Sequence, residues 1–234
     1  MKFIDFLKDE IKKCIDNFYT PIIVGPTASG KTELSYKLAD IFEIEIISAD
    51  SRQVYKYLDI GTAKPAKQIL DKIPHHLISI ISPTEKYSAF EFANTSQKLI
   101  IEIFRRNKLP LIIGGTGLYI KTLFDGIFEA PAIDEELRKD LSEKSNLELF
   151  EFLKTNDPET AEKIHINDKK RLLRAVEVIK QTGKKFSIIK KEYTKPLTNY
   201  KPRYFYLNIP REELYAKINA RADLMLKNGW IDET

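Results

Sequence analysis

Cysteine is almost absent from this chain: Cys14 is the single one among 234 residues. That excludes an intrachain disulfide and a thiolate zinc centre, and the lone thiol reads as a packed side chain. Long apolar runs are missing too, and none approaches the length of a membrane span. The segment Met1–Glu10 mixes acids with apolar residues, which is neither the layout of a secretory signal nor that of an acid-poor transit sequence. A cytoplasmic protein with no membrane partner is therefore expected. Internal repeats and low-complexity tracts are also absent. His75 and His76 have no cysteine nearby and no third partner at ligand spacing, so they read as structural or substrate-shaping residues rather than a metal site.

What is present fits a globular protein, with 43% hydrophobic and 31% charged residues. The length suits one α/β core with a smaller appended or inserted unit. The net charge of +4 hides an uneven distribution. Residues 163–203 hold 13 Lys and Arg against 3 Asp and Glu, leaving 25 against 31 elsewhere. A strip this basic is either a solvated face or a surface that gains affinity for nucleic acid by releasing phosphate counterions.

Hydrophobic periodicity gives the coarse layout. Phe3, Phe6, Leu7, Ile11 and Ile15 recur at helical steps, predicting a helix over Lys2–Asn17. Strands are predicted at Pro21–Val24, Ile44–Ser48, Leu77–Ile81 and Leu109–Ile113, with helices over Lys31–Phe42, where Leu34, Leu38 and Ile41 form the inner face, and over Ala89–Asn107. Strands alternating with helices imply an α/β fold with a parallel sheet flanked by helices. From Phe128 the pattern is helical only: Asp134–Lys144, Leu147–Thr155, Pro158–Lys163 and Lys169–Gln181, the last with Asp168 as N-cap and Gly183 past its end. A strand pattern returns at Tyr204–Ile209, followed by a helix over Arg211–Asn228. Trp230, Tyr204 and Tyr206 read as core or strand packing. The expected organisation is a core of residues 1–127 and 203–234 interrupted by a basic helical insertion, 128–202.

Gly25-Pro26-Thr27-Ala28-Ser29-Gly30-Lys31-Thr32 fits the phosphate-loop pattern G-x-x-x-x-G-K-[ST], and it lies between a predicted strand and helix as the mechanism requires. Backbone amides at the helix N-terminus point at phosphate, Lys31 adds charge, and the Thr32 hydroxyl can hold Mg²⁺. The acid that motor ATPases need at the end of a second buried strand is missing, since Leu111-Ile112-Ile113 runs into Gly114-Gly115-Thr116-Gly117. A small-molecule kinase stays open, because Asp50 can serve as its base. Asp50 follows the second strand at the edge where ligands of open α/β sheets collect, a position that fits a catalytic carboxylate and a turn cap beside Ser51 equally well.

The phosphate loop, Ser48-Ala49-Asp50-Ser51-Arg52-Gln53-Val54-Tyr55 and Asp59-Ile60-Gly61-Thr62-Ala63-Lys64-Pro65 together resemble the tRNA dimethylallyltransferases, also called tRNA isopentenylpyrophosphate transferases. The likeness continues in order through Pro74-His75-His76-Leu77, Tyr87-Ser88-Ala89 with Phe92, Gly114-Gly115-Thr116-Gly117-Leu118-Tyr119, His165-Ile166-Asn167-Asp168 with Arg171 and Arg174, and Thr182-Gly183-Lys184. The resemblance implies a P-loop NTPase-like core with an inserted all-helical tRNA-binding subdomain. It also implies transfer of a dimethylallyl group from dimethylallyl diphosphate to N6 of the adenosine immediately 3′ of the anticodon, with Mg²⁺ as cofactor. Carried onto this sequence, Asp50, Lys31 and Thr116 are the expected catalytic residues. Gly25–Thr32 and Arg221 are the expected diphosphate ligands, and Thr32 the expected metal ligand. Asp50, Ser51, Arg52, Gln53, Asn167, Asp168, Lys169, Lys170 and Arg171 are expected to contact the tRNA anticodon stem-loop. The chemistry agrees: the exocyclic amine of adenine is a weak nucleophile that a carboxylate base would assist, and loop amides with Lys31 would stabilise departing diphosphate.

Ile166 replaces the family's usual proline after the histidine, and Ser82 an acid common after the third strand. The sequence stops at Ile231-Asp232-Glu233-Thr234, in a block that relatives follow with several tens of residues, so it is expected to lack the C-terminal part of the core. A monomer is expected. The rivals are an adenylate dimethylallyltransferase acting on free nucleotide, against which the basic insertion argues, a kinase, and a tRNA-binding protein impaired in catalysis, against which Asp50, Lys31 and Thr32 argue.

Overall fold

The computed structural model describes residues 2–126, 132, 134–193 and 196–234. The chain forms two compact units, Met1–Asp125 with Pro196–Thr234, and Gly126–Lys195. The domain limit expected at Phe128 falls outside the described residues. Residues 196–201, assigned to the insertion by sequence, pack instead on the α/β unit. Leu197 N–H donates to Leu123 O at 3.1 Å, Lys201 O accepts from Thr20 N–H at 2.9 Å, and Tyr200 stacks on Phe104 at 4.8 Å.

The first unit is built on a parallel sheet of β1 (Thr20–Val24), β2 (Ile44–Ala49), β3 (His75–His76), β4 (Leu109–Gly114) and β5 (Pro202–Tyr206), in the order β3-β2-β4-β1-β5. Around it run α1 (Lys2–Asp16), α2 (Lys31–Ala39), α3 (Lys67–Lys72), α4 (Ala89–Arg105) and α5 (Gly117–Asp125). β1, β2 and β4 are the apolar runs read from sequence, and burial on both faces is what such runs require. α4 begins in a capping box, Ser88 with Glu91, and buries Phe92, Ile100 and Ile103 against Ile22, Ile47 and Ile112. On the other face Leu7, Ile11 and Leu38 pack over Ile23, Ile46 and Leu111.

Several expectations are corrected. The third strand is His75–His76, not Leu77–Ile81, because Leu77 and Ser79 adopt positive φ (64° and 54°) and break the extended run. α1 buries Leu7, Ile11 and Cys14, whereas Phe6 and Ile15 face outward; the Phe3 side chain lies outside the described residues. α2 ends at Ala39, leaving Ile41 exposed. The final strand is Pro202–Tyr206 rather than Tyr204–Ile209, set by its register against Thr20–Val24, and as an edge strand it leaves Tyr204 and Tyr206 exposed.

Glu45 is the one acid on the central strands, 4% exposed. It is surrounded by His76 Nε2 at 2.8 Å, Arg106 at 2.7 and 3.1 Å, and Lys108 at 3.4 Å. Burial works to raise its pKa, but the hydrogen bonds and charges of Arg106 and His76 outweigh it and hold the carboxyl at about 2, against an ordinary 4.5. The ionised group thus adds stability that is complete above about pH 4.5 and is lost as pH falls toward 2. Glu45→Gln is expected to destabilise the fold at pH 7 and to narrow its gap from wild type at pH 3, in urea titrations at both pH values. A gap of equal size at both would contradict this account.

The second unit is helical: α6 (Glu135–Ser142), α7 (Asn146–Asn156), α8 (Pro158–Ala161), α9 (Lys169–Thr182) and α10 (Phe186–Tyr193). Leu141, Leu149, Leu153, Leu172 and Val176 form its own core. α9 starts on Asp168, whose carboxylate accepts from Arg171 N–H, and ends at Gly183 with φ 66°, the left-handed cap that sequence spacing predicts. After β5 the first unit closes with α11 (Arg211–Lys227) and α12 (Trp230–Glu233).

Candidate active site

The site is built at the carboxyl ends of β1, β2 and β4. β1 and β2 are consecutive in sequence but lie on opposite sides of β4, so the chain direction diverges there and a crevice opens. The loop Gly25–Thr32 leaves β1 and enters α2 through Gly30 at φ 87°, with Ala28 also left-handed at φ 61°. Alternating left-handed residues turn successive amides inward into an anion-binding concavity. Lys31 Nζ folds over the loop and donates to the carbonyls of Gly25 (2.9 Å) and Pro26 (2.7 Å). Burial, helped by the Arg221 charge and opposed by Asp50, holds its pKa below the ordinary lysine range. Ser29 is buried within the loop, and its Oγ has no hydrogen-bond partner among the described residues, leaving a polar atom for a ligand.

Asp50 stands at the end of β2. Its Oδ1 accepts from the amides of Arg52 (2.8 Å) and Gln53 (3.3 Å), so the turn-capping role weighed from sequence is real. Those bonds engage one oxygen only, and Asp50 lines a small cavity together with Lys31, Thr32, Gln53 and His75. The capping and chemical roles are therefore compatible. Thr116 is beside it: its Oγ1 accepts from Ser51 N–H at 3.0 Å and its own amide donates to Ala49 O at 3.1 Å. Gly114 allows this lacing, since a Cβ there would sit 2.1 Å from Ala49 O. Burial keeps the His75 pKa below the ordinary range.

Arg221 on α11 lines a neighbouring cleft of about 740 Å³ with Thr32, Tyr36, Lys64 and Met225. Gln53 uses its side chain inside the unit, accepting from Ser48 Oγ (3.1 Å) and donating to the carbonyls of Thr62 and Ala63 (3.2 Å each). Asn167–Arg171 belong to the helical unit, where Asn167 precedes the N-cap Asp168 and Lys169–Arg171 begin α9. Lys169 Nζ donates to Ser142 O at 2.8 Å, Arg171 pairs with Asp168 at 2.9 Å, and Lys170 is exposed. A cleft of about 670 Å³ in the same unit is lined by Lys163, Arg171, Arg174, Lys190 and Lys191 together with Glu159. Sequence reasoning missed the Ser48–Gln53 link and the residues that brace it, whose partners lie in separate segments with no shared spacing.

Among the described residues no group of three or more His, Cys, Asp or Glu is placed to hold a metal. An ion held at Thr32 would need ligand oxygens to complete its shell, as Mg²⁺ at phosphate loops does.

Residues 53–234 match the profile described as IPP transferase. The chain is 44% identical over 216 residues to tRNA dimethylallyltransferase 2 of Geotalea uraniireducens, covering 91% of this chain and 70% of that one. It is also 44% identical over 217 residues to a tRNA dimethylallyltransferase of Thermotoga neapolitana, with the same coverage. Among solved structures, the tRNA isopentenylpyrophosphate transferase of Staphylococcus epidermidis is 43% identical, with a TM-score of 0.59 over 92% of this chain and 71% of that one. A eukaryotic dimethylallyltransferase described as acting on tRNA is 32% identical, with a TM-score of 0.80 over 92% of this chain and 54% of that one. With a phosphate loop facing a carboxylate across the sheet edge, and with these relatives, the chain belongs to the IPP transferase family, the tRNA dimethylallyltransferases.

Proposed function

We propose that this chain transfers a dimethylallyl group from dimethylallyl diphosphate to the exocyclic N6 of the adenosine immediately 3′ of the anticodon in tRNA, releasing diphosphate. The observation that carries the reading is the joint lining of one cavity by Lys31, Thr32 and Asp50, in a chain of this family. In the transfer, the allylic C–O bond breaks with its electron pair leaving on diphosphate, the N6–C bond forms, and Asp50 takes the N6 proton. Lys31, the loop amides and Arg221 stabilise the charge gathering on the leaving oxygens. Ser29 and Thr27 contact the diphosphate, and Thr116 keeps the Asp50 turn against β4. Thr32 and the diphosphate oxygens would hold Mg²⁺, which neutralises leaving-group charge when bound. Ser51 and Arg52 are assigned to the RNA side of the site, whereas the Gln53 side chain, expected there from sequence, is engaged by Ser48, Thr62 and Ala63 within the unit.

The basic cleft of the helical unit favours RNA over free nucleotide as acceptor, since a single nucleotide has no need of a second cationic surface. Lys170→Ala is expected to weaken tRNA binding severalfold and to reduce the salt slope of log Kobs by about one, leaving diphosphate affinity unchanged in filter-binding titrations. The reaction itself is tested with labelled dimethylallyl diphosphate and Mg²⁺, offered with unmodified tRNA or AMP, with ATP and candidate metabolites in parallel. Label in tRNA supports the reading; label in AMP alone, or ATP turnover alone, refutes it.

A further inference from the structure

The segment between β2 and α3 forms a hydrogen-bonded turn over residues 59–63. Ala63 N–H donates to Ile60 O (2.9 Å), Lys64 N–H to Asp59 O (3.0 Å) and Thr62 Oγ1 to Leu58 O (2.5 Å), with Ala63 left-handed at φ 49° to end the turn. The leading amides of such a turn have no partner within it. Here all three are taken by one carboxylate from the far end of the chain. Asp59 and Ile60 N–H each donate to Glu233 Oε1 at 2.6 Å, and Gly61 N–H to Glu233 Oε2 at 2.8 Å. Trp230, on the same short α12, packs on Gly61 so closely that a Cβ there would lie 2.1 Å from the indole Nε1.

The other side of this turn reaches the reacting carboxylate. Its carbonyls at Thr62 and Ala63 hold the Gln53 amide, Gln53 Oε1 accepts from Ser48, and the Gln53 and Arg52 amides both donate to Asp50 Oδ1. A continuous run of hydrogen bonds thus links Glu233 to Asp50 through a turn and one side chain.

We propose that Glu233 is a positioning residue for the transfer reaction: by holding the 59–61 amides it fixes the turn that fixes Gln53, and thereby the orientation of the Asp50 carboxylate. This rests on Asp50 being the base. Hydrogen bonds from amides to an ionised carboxylate are short and about twice as strong as neutral ones, so three together make a stiff clamp. Burial works to raise the Glu233 pKa, but the three amides outweigh it and hold it below the ordinary range, which keeps the clamp anionic at neutral pH. Stiffness matters because a displacement of about 1 Å in a reacting group can cost about 10²-fold in rate.

Glu233→Ala and Glu233→Gln in the full chain test this. Amide hydrogen exchange should accelerate at least about tenfold in Glu233→Ala, both at residues 59–61 and at residues 52 and 53, while the phosphate-loop amides stay as in wild type. Emission from Trp230, the sole tryptophan, should shift to the red. In turnover, kcat should fall about 10- to 100-fold with affinity for inorganic diphosphate within about twofold of wild type, and Glu233→Gln, which keeps one acceptor oxygen, should recover part of each effect. Acceleration at 59–61 without any at 52 and 53 would overturn the proposal, and so would a joint fall of kcat, diphosphate affinity and melting temperature. If the wild-type chain transfers no prenyl group to RNA, the reading of the reaction fails, while the exchange comparison still decides whether Glu233 governs Asp50.

Discussion

Replacing Asp50 with Asn is expected to lower kcat by about 10²–10⁴-fold, the usual contribution of a positioned general base, while the Kd for diphosphate stays within about threefold of wild type. Asn is the informative replacement because Asp50 caps a turn in addition to its proposed role as base. Its Oδ1 caps the turn by accepting from Arg52 and Gln53 N–H, which an amide oxygen can continue to do, whereas Ala would remove the cap along with the base. The change therefore isolates proton removal from N6. The loop amides, Lys31 and Thr32 are untouched, so ground-state hold on the leaving group should persist, and kcat and kcat/KM should fall together. Single-turnover prenylation of an anticodon stem-loop, beside diphosphate binding by calorimetry, gives both numbers. A variant with kcat within about threefold of wild type would remove Asp50 from the role of base.

The largest expected effect on stability lies in the helical unit. Asp157 is fully buried, and its carboxylate accepts from Thr160 N–H (3.3 Å), Thr160 Oγ1 (2.6 Å), Ser187 N–H (2.8 Å) and Ser187 Oγ (2.8 Å). It caps α8 and at the same time ties down the first turn of α10. Burial works to raise its pKa, and the hydrogen bonds from Thr160 and Ser187 outweigh it, so the group is held below the ordinary carboxylate range. Asp157→Ala strands two buried amides that cannot turn away, at about 1–3 kcal/mol each, and the hydroxyls lose their acceptor as well. A loss of about 3–5 kcal/mol is expected, read as a lower denaturant midpoint for the helical unit. Because the carboxylate is ionised in the folded state with a depressed pKa, its contribution is complete above the ordinary Asp range and is lost as pH falls below it. Wild type and variant should thus converge on acidification. A loss under about 1 kcal/mol would show that the cluster relaxes onto other acceptors.

The part of the fold that could be read from sequence is the part whose signal is local. Ile22–Val24, Ile44–Ser48 and Leu109–Ile113 are short apolar runs bounded by loops, and they form the middle of the sheet. The start of α9 at Asp168 and its end at Gly183 follow from side-chain capping and from the left-handed conformation that glycine accepts. The phosphate loop is legible because its amides, Lys31 and Thr32 act within eight consecutive residues. Short elements escaped: β3 is two residues long, α5 begins in a glycine-rich stretch, and α3 and α10 carry too few turns for periodicity to register.

By itself, then, the sequence determined the phosphate loop, the alternation that makes a parallel sheet, a basic helical segment and the candidacy of Asp50. Tertiary structure decided what Asp50 is tied to: a run of hydrogen bonds leads from it through Gln53 and a turn at 59–63 to Glu233, 174 residues beyond Asp59. It also decided that Glu45 is held by His76 and Arg106, and Asp157 by Ser187. Local patterning reports which groups need burial or capping within a few residues. Which distant donor satisfies a buried carboxylate is fixed when the crossover connections bring separate strand ends and helix ends together, and no spacing along the chain encodes that pairing.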